Sequence, residues 1–108
     1  MDFTYETTDL RALCLRKQAA VKAFGEAAAA AVFARLADIA ACPSLADLFE
    51  LFPEDLAVCD DVVTMRVQPE LLLRFKPGHV KPRRLENGQH DWSEIARVRI
   101  VFVGADVA

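Results

Sequence analysis

Apolar and polar residues follow two different rhythms along this chain of 108 residues, and the rhythm changes near Leu56. At the start, Phe3, Tyr5 and Thr7 alternate with Thr4 and Glu6, which predicts a short first strand. Thr8 or Asp9 then caps a helix where Leu10, Leu13 and Cys14 set up helical spacing, and Gly25 punctuates it. A second helix is predicted from about Glu26 to Ala41. Its residues Ala29, Val32, Phe33, Leu36, Ile39 and Ala40 recur at three- and four-residue intervals as one apolar stripe. Glu26 sits in its first turn, where a negative charge meets the positive end of the helix dipole, and Pro43 stops it. The segment Ser44-Leu45-Ala46-Asp47 reads as a cap opening one further helical turn through Leu48 and Phe49.

Beyond that point the period is two. Leu56 and Val58 begin one strand; Val63, Met65 and Val67 mark a second; Leu71, Leu73 and Phe75 a third; Val98, Ile100 and Phe102 the last. The links Asp60-Asp61 and Pro69-Glu70 are short enough for antiparallel hairpins. The expected architecture is α+β: an N-terminal strand, two helices, then a curved antiparallel sheet of three to four strands. Val32, Phe33, Leu36 and Ile39 are expected to bury against Val63, Met65, Val67, Leu73, Phe75, Ile100 and Phe102.

Composition adds that residues 1–108 form one domain. A hydrophobic content of 54% with 27% charged residues is that of a folded globular chain. The Ala-rich run from Ala27 to Ala34 is closed by Glu26 and Arg35, too short to span a membrane. The opening residues hold neither a basic region nor an apolar run, so no secretory signal and a cytoplasmic location are expected. Cys14, Cys42 and Cys59 have no ligand-like spacing and read as reduced, mostly buried thiols.

Charge is segregated more than the net −3 suggests. Residues 10–25 hold Arg11, Arg16, Lys17 and Lys22 without an acid, and residues 38–61 hold seven acids without a base. Residues 74–84 are basic again, with Arg74, Lys76, Lys81, Arg83 and Arg84. Two basic blocks supply local positive potential for phosphate, while the acidic balance opposes strong nonspecific binding. No dinucleotide fingerprint, phosphate-binding loop or nucleophile elbow is present, and no cofactor is expected. His79 and His90 lack a carboxylate or cysteine at ligand spacing, so no metal site is expected. Trp92 reads as a packing anchor beneath the loop that closes with Asn87-Gly88.

The segment Leu13-Cys14-Leu15-Arg16-Lys17-Gln18, the run Ser44-Leu45-Ala46-Asp47-Leu48, and the tripeptide Phe75-Lys76-Pro77 resemble the RelE/ParE superfamily of toxin proteins. So does Gly88-Gln89-His90-Asp91-Trp92-Ser93-Glu94-Ile95, leading into Ala96-Arg97-Val98-Arg99-Ile100, and the likeness is to the HigB-like branch. This resemblance implies a toxin of a type II toxin-antitoxin system. Such a protein inhibits translation by ribosome-dependent mRNA cleavage and is neutralised by a cognate helix-turn-helix antitoxin. Where the family carries a Lys-Gly pair before its second long strand, this chain reads Glu54-Asp55-Leu56-Ala57-Val58-Cys59-Asp60-Asp61. Where relatives have an early arginine on the next strand it offers Leu71 or Leu72, and the Asp-Tyr-His ending is replaced by Gly104-Ala105-Asp106-Val107-Ala108.

Three readings follow. The chain is an mRNA-cleaving toxin; or a non-catalytic toxin-fold module acting through a protein partner; or an unrelated α+β protein. Lys76, His79, Lys81, Arg83 and Arg84 are the candidate contacts to RNA and ribosome, with Pro77 and Pro82 stiffening the backbone between them. Arg16, Lys17 and Arg66 are the candidate contacts to acidic groups of the antitoxin. The catalytic residues are unassigned from sequence.

Overall fold

The apolar stripe of the Ala-rich run is the organising surface of the molecule. In the computed structural model, which describes residues 1–79 and 84–105, the helix α3 spans Glu26–Ala41. It buries Ala29, Val32, Leu36 and Ile39 against one face of a five-stranded sheet. The strands are β1 (Asp2–Tyr5), β2 (Leu56–Cys59), β3 (Val62–Gln68), β4 (Leu71–Pro77) and β5 (Arg97–Ala105), in the order β1-β5-β4-β3-β2. From the sheet, Val63, Met65, Leu73, Phe75, Val98 and Ile100 complete the core, each fully removed from solvent. At about 1.5–3 kcal/mol per fully buried large apolar side chain, this layer dominates the fold's stability.

The α+β class holds, but four helices stand where two were expected. The first expected helix is broken at Arg16, whose extended backbone (φ −114°, ψ 113°) separates α1 (Thr8–Leu15) from α2 (Lys17–Phe24). The reason lies in the pattern. Continuing α1 would carry Lys17 and Gln18 onto the stripe begun by Leu10, Leu13 and Cys14, whereas both stay exposed here. Thr7, rather than Thr8 or Asp9, is the cap of α1: its hydroxyl accepts from the Leu10 N–H at 3.1 Å. The turn foreseen at Ser44 is a full helix, α4 (Leu45–Leu51), where the Ser44 hydroxyl donates to Asp47 at 2.7 Å. Gly25 joins α2 to α3 at φ 88° and ψ 165°, a conformation essentially reserved for glycine.

The sheet is mixed, not wholly antiparallel. β1 runs parallel to β5, pairing Thr4 with Arg99 and Tyr5 with Ile100. Helices separate β1 from the rest of the sheet in sequence, and a crossover of that length permits parallel pairing where a tight turn does not. The expected burial of Phe102 is also corrected. Phe75 pairs with Ile100 while Arg74 pairs with Phe102, so β5 carries a bulge at Val101. The extra residue flips the side-chain parity: Val103 enters the core, and Phe102 turns to the opposite face beneath the Arg74 guanidinium, 4.9 Å from its ring. Phe33 and Val67 flank the core half-buried. No helix among the described residues is long and apolar enough to cross a membrane.

Candidate functional site

Side chains that alternate out of the core meet on the other face of the sheet. By strand register, Arg66 on β3, Arg74 and Lys76 on β4, and Arg97 and Arg99 on β5 all belong to that face. Lys76 lies directly opposite Arg99. Like charges in such a cross-strand pair destabilise a sheet, so the pair carries a cost. An anion lying between them would repay it.

Beside this pair, at the end of the sheet, is a cavity of about 530 Å³. Thr4 lines it from β1, Lys76 from β4, Arg99 from β5, and His79 from the segment after β4, while Tyr5, opposite Ile100, borders it with its ring packed on the core side. Asp61 and His90 form its remaining polar wall. Gly78 is part of the construction: its N–H donates to the Arg97 carbonyl at 2.8 Å, and an added Cβ would meet the Arg97 and Val98 backbone at 3.3 Å. That close approach extends the β4–β5 pairing and delivers His79 to the site. The His79 Nε2 accepts the Ala96 N–H at 3.1 Å, so in the neutral ring the proton sits on Nδ1. Partial burial, reinforced by Cys14 and opposed by Arg11, raises the Tyr5 phenol, which is a hydroxyl donor at neutral pH.

The second polar element is Asp61, in the turn between β2 and β3, held by two partners from far along the chain. Its Oδ1 accepts from His90 Nε2 at 2.7 Å and from Arg84 at 3.3 Å. The His90 hydrogen bond is the main cause that holds this carboxyl below the usual carboxylate range; desolvation opposes it less strongly, and the Arg84 contact adds to the lowering. His90 is 3% exposed, and its Nδ1 has no hydrogen-bond partner among the described residues. With the carboxylate accepting at Nε2, the neutral imidazole keeps its proton there and leaves the Nδ1 lone pair unsatisfied. Trp92 backs the ring at 5.1 Å and is itself met edge-on by Phe49 of α4 at 5.3 Å, so the expected packing anchor is in place. The Asn87-Gly88 turn closes a short hairpin in which Arg84 bridges His90 and Gly88 takes φ 85°. Asp61 and His90 also line a second cavity of about 700 Å³, between this hairpin and the β2–β3 turn.

Of the residues proposed for RNA, Lys76 and His79 line the first cavity and Arg84 the second, while Lys81 and Arg83 lie outside the described residues. The partner candidates are not brought together. Arg16 and Lys17 are exposed at the α1–α2 break, on the helical side, and Arg66 is on the outer sheet face with its guanidinium donating to the Pro69 carbonyl. Tyr5, Asp61 and Arg99 were not among the residues singled out from sequence. The signal that could have found Arg99 is its polar phase in an otherwise apolar strand, shared with Arg97. Among the described residues no cluster of three or more His, Cys, Asp or Glu could hold a metal ion. All three cysteines are free; Cys14 and Cys42 are buried and Cys59 is exposed. No family model, curated protein or solved structure matches this chain.

Proposed function

We propose that this chain is the toxin component of a type II toxin-antitoxin system, a RelE/ParE-like domain of the HigB-like branch that inhibits translation by ribosome-dependent mRNA cleavage. One observation carries the reading: Thr4, Lys76, His79 and Arg99, drawn from four separate segments, line one cavity beside a like-charge cross-strand pair. Lys76 and Arg99 would hold the scissile phosphate and offset the charge that develops on it during in-line attack by the 2′-hydroxyl. The ribosome would supply the mRNA in the required conformation, and a helix-turn-helix antitoxin would be the protein partner.

A second reading is a toxin-fold module without catalysis, acting through its protein partner. It draws on the histidines: the Nε2 of His79 is taken by the Ala96 N–H and that of His90 by Asp61. No described imidazole near the cavity therefore offers a free Nε2 as general base. Cell-free translation with primer extension on a reporter mRNA separates the two. Ribosome-dependent cleavage that disappears in the Lys76→Glu/Arg99→Glu double variant supports the first reading. Intact mRNA and unimpeded translation would reject it, and co-elution with a helix-turn-helix protein would then support the second.

A further inference from the structure

Acidic groups beside a phosphate site look misplaced, because carboxylates repel phosphate. The second cavity explains them by different chemistry. Its cation, Arg84, is already engaged: one guanidinium nitrogen donates to the Gly88 carbonyl at 2.8 Å and the other to Asp61 at 3.3 Å. Asp60 lines the same cavity from a left-handed backbone (φ 55°) and has no partner among the described residues. Gln89, the half-exposed Val58 and Trp92 complete the wall together with His90, whose Nδ1 is buried and has no partner among the described residues. A space of about 700 Å³ with an aromatic residue, an apolar side chain, an amide residue and a carboxylate unpartnered among the described residues suits a flat heterocycle bearing N–H donors, not an anion.

The carboxylate narrows the choice of heterocycle. Guanine alone among the four RNA bases presents two adjacent donors, N1–H and the N2 amine, that match the two oxygens of one carboxylate. Adenine and cytosine pair a single amine with an acceptor nitrogen that Asp60 would repel, and uracil sets its N3–H between two carbonyls. We propose that the cavity between the β2–β3 turn and the hairpin from Arg84 to His90 is a guanine-binding pocket, with Asp60 reading the N1–H and N2 edge. Gln89 answers O6 or N7 from the other side, and Trp92 offers the apolar surface. Because the two cavities share Asp61 and His90, a nucleotide adjoining the phosphate on Lys76 and Arg99 would have its base within reach of this pocket. That placement rests on the RNA reading above, whereas recognition of the base does not.

The test is a titration of the full chain with 5′-GMP, 5′-AMP, 5′-CMP and 5′-UMP at low salt, and with guanosine and uridine, read from the single tryptophan and by calorimetry. GMP is expected to bind roughly tenfold or more tightly than UMP, the discrimination of a bidentate base contact, and to change Trp92 fluorescence. Guanosine should keep its advantage over uridine. Asp60→Asn and Asp60→Ala should erase the preference and leave UMP binding unchanged, while Lys76→Glu/Arg99→Glu should weaken all four nucleotides and spare guanosine. Equal binding of the four nucleotides, no binding at all, or a preference that survives in both Asp60 variants, would overturn the pocket. Phosphate-dependent binding without base preference rejects the pocket and leaves the RNA reading standing; guanosine preference without mRNA cleavage does the reverse.

Discussion

Phe75 and Phe102 are equivalent by alternation in sequence, and the bulge at Val101 makes them opposite in consequence. Phe75 lies on the middle strand of the sheet, between Val63 and Ile100, and all three are fully buried. Replacing it by Ala removes a ring from a packed layer that cannot collapse around the gap, which costs about 3–5 kcal/mol. That is a large part of the roughly 5–15 kcal/mol that holds a domain of this size together. Phe102 lies half-buried on the far face, where solvent can fill the space its ring leaves. Its loss forfeits partial burial and the contact with the Arg74 guanidinium, together about 1–2 kcal/mol. Urea unfolding followed by far-UV circular dichroism measures both. With a denaturant slope of about 1–3 kcal/mol/M, the Phe75→Ala midpoint should fall roughly 1 M or more below that of Phe102→Ala. Removing Arg74 first should lower the cost of Phe102→Ala and leave that of Phe75→Ala unchanged. Equal costs for the two phenylalanines would refute the bulge and restore strict alternation.

Three further outcomes are expected. Asp61 titrates below the ordinary carboxylate range because His90 and Arg84 hold its charged form, so its contribution is fully present above the unfolded value of about 3.9 and is lost as pH falls through the lower folded value. The stability gap between the unmodified chain and Asp61→Asn should therefore be constant above about pH 5 and shrink below pH 4, as urea midpoints across that range would show; a gap that widens on acidification would refute the assignment. Burial pushes the Cys14 thiol up to about 11 and raises Cys42 as well, so in the native protein a thiol-disulfide reagent should react quickly at Cys59 alone, and Cys59→Ser should abolish the fast phase. Gly25→Ala forces a Cβ into a backbone conformation that side chains avoid, and thermal unfolding should report a loss of about 1–3 kcal/mol.

The parts of this fold that were legible in sequence are those whose pattern is local. The stripe of α3 needs only its own 16 residues, and the alternation of β3 and β4 only seven each. The Asn87-Gly88 pair carries its own turn chemistry. Three features were not legible, and each depends on something remote. Arg16 breaks a helix because of what a continued stripe would bury. β1 joins β5 in parallel because that edge is reached across the helices. The bulge at Val101 is decided by pairing with β4, and the run Val98-Arg99-Ile100-Val101-Phe102-Val103 is consistent with either parity after Ile100.

The site divides along the same line, with one instructive exception. Lys76 and His79 stood out because they sit in a visibly basic segment, but the segment's charge was the weaker clue. What distinguishes Lys76 is its pairing with Arg99 across β4 and β5, a relation that no linear window contains. In sequence, Arg97 and Arg99 look like the ordinary polar phase of a half-buried strand, and alone that is what they would be. Against β4 they become part of a face bearing five cations from three strands, with a like-charge pair at the mouth of a cavity. The acids followed the opposite course. Read as a linear block, residues 54–61 appear hostile to nucleic acid. In three dimensions, Asp61 is spent on His90 and Arg84, and Asp60 is set apart in a second cavity whose cation among the described residues, Arg84, is already engaged. On the proposed RNA reading, repulsion of the backbone from one cavity and its attraction to the other would act together, and the acids of the linear block would fix which part of a nucleotide enters which side.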